Sequence, residues 1–294
     1  MAGLIINEEL LQQLELMQTL LKNNNEGMFG GNRKSRSYGS SCEFADYRDY
    51  APGDDITKID WNAYARFEKL HQKLYYDERQ MHTRIYVDAS RSMEYGRSEK
   101  ANQALRLAAA IAYLSVCEMD KVSVYAINGD RLAPVISGCV GKEAYMNSIG
   151  AMDNINFEGD LRISDAIVPS NVGRGDGLSV IISDFLTDND FEKAIDHLTQ
   201  KRRDLLCIQV LSRDELNPQI RGRSHLFDSE DPERSYRKNI DRDTAKAYRE
   251  ALKYATDRVR QLCESRGGTY LLVPADEPLN KIFFEKLVNT GVVK

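Results

Sequence analysis

The chain has 294 residues, 42% hydrophobic and 29% charged, with a net charge of −5 and a pI near 5.6. That suits a soluble globular protein of one domain with an appendage, or of two domains, and it argues against general nucleic-acid binding through phosphate neutralisation. Cys42, Cys117, Cys139, Cys207 and Cys263 are scattered without a CxxC pair, and no apolar run reaches bilayer length, so a zinc site, a disulfide framework and a membrane span are all unsupported. The expected setting is reducing and cytoplasmic, with Cys117 and Cys207 as buried thiols in apolar segments.

In chain order, residues 6–22 read as an amphipathic helix with Leu10, Leu11, Leu14, Met17 and Leu21 on one face. The Gly-, Ser- and Arg-rich stretch up to Ser41 reads as a loop, so 1–41 form an N-terminal helix and flexible loop. Residues 42–80 form a separate polar segment ahead of the first sheet strand. Alternation then begins: a strand at 84–88, a helix at 98–118 with Ser98 as N-cap, and strands at 121–127 and 131–137. Helices follow at 141–153 and 162–168, then a strongly apolar strand at 178–183, a helix at 190–202 and a strand at 205–211. The final elements are a long helix at 242–266 with a solvated charged face, a strand at 269–273 and a helix at 279–290. Strands alternating with helices predict an α/β fold, a mostly parallel sheet covered on both faces over 81–294. The segment at about 213–241 interrupts this pattern, and short extended runs around Asp231-Pro232 suggest an inserted hairpin. Together with 42–80 it is expected to form a small additional lobe.

The chemistry concentrates at Asp88-Ala89-Ser90-Arg91-Ser92, just past the first sheet strand. One carboxylate and two hydroxyls at every second residue can converge on a point, and such oxygens suit a small hard cation such as Mg²⁺. Asp184 also directly follows an apolar strand. Ligands of open α/β sheets bind outside the carboxyl ends of the strands, so neighbouring strands would bring Asp88, Ser90, Ser92 and Asp184 into one oxygen-lined site. An isolated aspartate there would simply cap a turn. A cation with so few carboxylates is electron-poor and can accept a carboxylate from another protein. Glu43, Arg48, Asp54, Asp55, Asp60, Arg66 and Glu78, near the single tryptophan Trp61, read as a paired structural knot in preference to an acid site or a partner surface. No GxSxG elbow, Walker lysine motif or dinucleotide fingerprint occurs.

The Asp-x-Ser-x-Ser run at 88–92 resembles the signature of von Willebrand factor A domains, and Ile182-Ser183-Asp184-Phe185 falls where those domains place a second metal-site aspartate. Upstream, Glu43-Phe44, Arg48-Asp49-Tyr50, Pro52-Gly53-Asp54-Asp55, Ile59-Asp60-Trp61 and Ala65-Arg66 resemble the bacterial domain-of-unknown-function 58 family, which carries a von Willebrand A-like, Rossmann-like domain after this segment. The resemblance implies a metal-ion-dependent adhesion site (MIDAS) holding Mg²⁺ or another divalent cation through Asp88, Ser90, Ser92 and Asp184. It places Leu161 at the usual threonine ligand, with Asp160 beside it either as a substitute ligand or pointing away from the site. It further implies a non-enzymatic protein-interaction module that works with a MoxR-type AAA+ ATPase on client proteins. The alternatives are a metal-dependent phosphoester hydrolase and a scaffold with a vestigial metal site.

Overall fold

Runs of β-branched and aliphatic residues form the strands at the centre of the molecule, and an alanine-rich segment forms its most buried helix. The computed structural model describes residues 7–24, 44–75, 80–94, 99–173, 177–187, 190–219, 222–227 and 235–287. Ten strands are described: β1 (Phe44–Asp49), β2 (His71–Tyr75), β3 (His82–Asp88), β4 (Lys121–Asn128), β5 (Arg131–Cys139), β6 (Leu178–Ser183), β7 (Asp204–Leu211), β8 (Gly222–Phe227), β9 (Ser235–Ile240) and β10 (Thr269–Pro274). The helices are α1 (Glu8–Asn24), α2 (Trp61–Phe67), α3 (Arg91–Glu94), α4 (Glu99–Cys117), α5 (Lys142–Ser148), α6 (Ile163–Ile167), α7 (Glu192–Gln200), α8 (Arg213–Leu216), α9 (Arg242–Glu264) and α10 (Leu279–Lys281).

Six strands make the central sheet in the order β10-β7-β6-β3-β4-β5. Five run parallel, and β5 closes one edge antiparallel to β4. Strand β6 is buried along its whole length, as expected of a parallel strand covered on both faces. Successive side chains of β3 enter opposite layers: Ile85 and Val87 join one core, Tyr86 the other. Helix α4 lies in the first core with fourteen buried residues, and α1 packs Leu10, Leu14 and Met17 into the same core. Helix α9 buries only Thr256, Val259 and Cys263, so its other faces carry the charges.

Several local expectations change. The helix at 141–153 divides into α5 and a 3₁₀ segment, Ile149–Asn154, which contains the poor helix former Gly150. The helix at 279–290 is a single turn, α10, followed by a π turn over Ile282–Leu287, and its end lies outside the described residues. Ser98 and Cys42 also lie outside them. Cys117 is only partly buried, whereas Cys207 is fully buried. Outside the central sheet the described residues form two separate antiparallel pairs, β1–β2 and β8–β9. Strands β8 and β9 fall within 213–241, after the short α8, and the residues that join them around Asp231-Pro232 lie outside the described residues.

The charges of 44–75 pair much as a structural knot requires. Arg48 meets Asp54 at 2.7 Å, and it donates to Gln72 Oε1 of β2 at 2.9 Å. Asp60 caps α2 by accepting from the backbone N–H groups of Asn62 and Ala63, and also accepts from the Tyr47 hydroxyl at 2.7 Å. That hydroxyl, with the capped amides and Lys73, holds the Asp60 carboxyl down at about 2.

Candidate functional site at the carboxyl ends of β3 and β6

Strands β3 and β6 are hydrogen-bonded neighbours, and Val87 stands opposite Ile182. The next residues along, Asp88 and Ser183, therefore face each other, and the Ser183 hydroxyl donates to Asp88 Oδ2 at 2.6 Å. The other oxygen of Asp88 accepts the Ser90 backbone N–H at 2.8 Å, which folds the loop back over the strand end. Ser92 lies on α3, a one-turn helix that periodicity alone does not reveal. Its hydroxyl is 3.0 Å from that of Ser90, and it donates to Asp184 Oδ2 at 2.8 Å. Asp184 Oδ1 accepts the Leu186 N–H at 3.0 Å, and the Asp184 carbonyl accepts from Gln209 of β7 at 2.6 Å. Between them Phe185 takes a left-handed backbone with φ 51°, held by the packing of its ring against Phe191.

Four of the five expected ligands are thus brought together. Asp88, Ser90, Ser92 and Asp184 form one buried hydrogen-bonded network where the strand order reverses. Asp160 stands apart. Its loop touches the signature loop through backbone bonds, Glu158 N–H to the Ala89 carbonyl and Arg91 N–H to the Gly159 carbonyl. Its side chain instead accepts from Arg162 at 2.8 Å and is 42% exposed, and the Arg162 guanidinium lowers its pKa. Leu161 is buried beside it and presents only carbon at the expected threonine position. Among the described residues no three His, Cys, Asp or Glu side chains gather as a metal-ligand group.

Two further residues complete the site. Lys100, in the first turn of α4, is 1% exposed. Its ammonium donates to Asp184 Oδ2 at 2.8 Å and to Glu215 Oε1 at 2.7 Å. Glu215, on α8, is fixed by a capping box in which its other oxygen accepts the Ser212 N–H at 2.7 Å while the Ser212 hydroxyl caps Glu215 N–H. Burial opposes the lysine's charge, but the two carboxylates outweigh it and raise the Lys100 pKa. For Asp88, burial and the neighbouring Asp184 charge push the carboxyl up to about 7, against the pull of the Ser183 and Ser90 hydrogen bonds.

This donor set does not fit a resident Mg²⁺. Every carboxylate oxygen of Asp88 and Asp184 already accepts a hydrogen bond, Asp160 is engaged with Arg162, and position 161 offers no oxygen. An ammonium already supplies positive charge at the acidic pair.

The sheet order, its single antiparallel edge strand and an Asp-x-Ser-x-Ser loop at the switch point define an α/β domain of the von Willebrand factor A-like class. Residues 46–261 match the model of the family described as protein of unknown function DUF58, and the chain belongs to that family. It is 28% identical over 226 residues to the uncharacterized protein Rv1480 of Mycobacterium tuberculosis strain H37Rv, covering 74% of this chain and 70% of that one. Among solved structures it is similar to an aerotolerance-related membrane protein from Bacteroides fragilis, at 18% identity and a TM-score of 0.42, covering 72% of this chain and 98% of the other. It is also similar to the SpRpn10 VWA domain, at 10% identity and a TM-score of 0.39, covering 74% and 100%. Among the described residues no helix is long and apolar enough to cross a membrane.

Proposed function

We propose that the chain is a non-enzymatic, cytoplasmic protein-binding module that works with a MoxR-type AAA+ ATPase in assembling or remodelling client proteins, as the family resemblance implies. The observation that carries the reading is the surface of the segment ahead of the sheet. Helix α2 buries none of its seven residues. Its rings recur at three-residue spacing, with Trp61 62% and Phe67 67% exposed and Tyr64 edge-on to Trp61. Ile56, just before it, is exposed as well. Clustered exposed apolar side chains mark interaction sites, and Trp and Tyr are the residues that most often anchor them. The β1–β2 pair and the Asp60 cap hold this helix in place, so its rings are presented on a fixed support. The strand-end site supports the non-enzymatic part: Asp184 and Glu215 are taken up by the Lys100 ammonium, and Asp88 by the Ser183 hydroxyl and the Ser90 amide.

The test is binding of this chain to a purified MoxR-type ATPase of the host organism. The wild type should bind, and Trp61→Ala with Phe67→Ala should weaken binding by about thirtyfold or more, as loss of two anchoring rings does. Undiminished binding by the double variant would remove α2 from the interface, and no binding by the wild type would remove the ATPase as partner.

A further inference from the structure

We propose that the Lys100 ammonium is the built-in cation of the strand-end site and stands in for a divalent metal, so that the site holds its shape and charge balance without Mg²⁺. The first turn of a helix is the positive end of its dipole and disfavours a cation. Burying an ammonium adds a large desolvation cost, which only close pairing offsets. Lys100 accepts both penalties, and its Nζ lies 2.8 Å from Asp184 and 2.7 Å from Glu215. A glutamate locked by its own capping box is a fixed second anion, placed by α8 from outside the Asp-x-Ser-x-Ser loop.

The charge count follows from these positions. Asp184 and Glu215 share one positive charge, and Ser183 and Ser90 hold Asp88 by neutral hydrogen bonds. A divalent ion ligated by Asp184 would lie within a few ångströms of the ammonium and be repelled by it. It would also displace the Ser92 hydrogen bond to the same oxygen. If Lys100 is removed, the Asp184 and Glu215 carboxylates lose the cation they share, with the Ser92 hydroxyl still at Asp184 and the Ser90 hydroxyl beside it, and oxygens of this kind are what a hard cation takes. The strand-end site is separate in residues from the α2 surface that carries the proposed function, and the Lys100 exchange does not depend on which partner binds.

The experiment titrates Mg²⁺ and Mn²⁺ into the purified full chain, using calorimetry and thermal unfolding, for the wild type, Leu161→Thr and Lys100→Met. The expected wild-type result is no saturable binding, and a melting temperature that moves by less than about 1 °C between EDTA and 10 mM MgCl₂. Leu161→Thr, which adds a hydroxyl but keeps the ammonium, should behave in the same way. Lys100→Met should gain metal binding and melt higher in MgCl₂ by about 4 °C or more. A Lys100→Met protein that is recovered folded only with metal would support the exchange equally. Saturable Mg²⁺ or Mn²⁺ binding by the wild type would overturn the proposal, as would strong binding by Leu161→Thr with the lysine in place. A Lys100→Met protein that gains no metal response, folded or unfolded, would also overturn it. No partner protein enters these measurements, so their failure leaves the protein-binding reading standing, and a failed ATPase test leaves this one standing.

Discussion

The Asp184 carboxylate accepts from the Ser92 hydroxyl, the Lys100 ammonium and the Leu186 amide, and each of these donors responds differently to mutation. Removing a hydroxyl loses one ordinary hydrogen bond, about 1 kcal/mol. Removing the ammonium leaves two buried or half-buried anions unpaired, and breaking such a pair costs about 3–5 kcal/mol. In EDTA, Lys100→Met should therefore be far less stable than Ser92→Ala to urea. Adding Asp184→Asn to Lys100→Met should restore part of the loss, because the orphaned charge goes with it. Equal or additive losses in that cycle would mean that the pair contributes little. The sequence made Asp88, Ser90, Ser92 and Asp184 readable because each sits at or just past an apolar strand. Lys100 and Glu215 were not readable as site residues, since Lys100 meets partners 84 and 115 positions away. One signal was present: Lys100 stands in helical register with Ala104, Leu107, Ala108 and Ile111, so a lysine occupies the apolar stripe. For Asp160 sequence leaves both orientations open, because adjacency to position 161 says nothing about the competing Arg162 two residues on, from which its side chain accepts.

Among the elements, the β3–β6 pair is fastened at both ends. Its carboxyl end carries the site. At its amino end Arg203, from the turn before β7, donates to the carbonyls of His82 and Leu178 and to the Ser179 hydroxyl. Gly177, just ahead of β6, is packed under that guanidinium. A β-carbon there would meet the His82 carbonyl oxygen at 2.6 Å and the Arg203 side chain at 2.7 Å. The arginine could shift, but the carbonyl belongs to the sheet backbone. Gly177→Ala should cost about 1–3 kcal/mol by overpacking, read as a lower urea midpoint with an unchanged slope. A midpoint equal to that of the wild type would mean that the amino end yields freely. The buried strands were legible as continuous apolar runs, which require both faces covered. The strands β1 and β2 were not, because FADYRD and HQKLY carry little apolar alternation and are held as strands by their pairing and by the Arg48 and Asp60 contacts. The one-turn α3 and the π turn after Lys281 are too short for periodicity to register.

For the molecule as a whole, the amino end of the parallel strands, opposite the site, carries a pH dependence. His82 opens β3, half-buried, with its Nε2 2.9 Å from the Ser123 hydroxyl and with Arg84, Arg203 and Lys121 around it. Burial, then those three cations, lower its pKa from 6.5 to about 4. The unfolded chain therefore binds a proton at His82 between about pH 6.5 and 4 that the folded chain does not. Where the unfolded state binds more protons, stability falls as pH falls, so acidification through that window favours unfolding. Asp88 acts in the opposite sense, since its carboxyl is raised in the folded state and its contribution is lost as pH rises through about 7. The two effects partly cancel in the wild type, and only a difference measurement isolates the histidine. Urea midpoints of the wild type and His82→Gln, taken at pH 7.5 and at pH 5, should diverge: on acidification the variant gains stability relative to the wild type. Parallel curves across that range would place the His82 ring in contact with solvent, free to take up its proton in the folded protein.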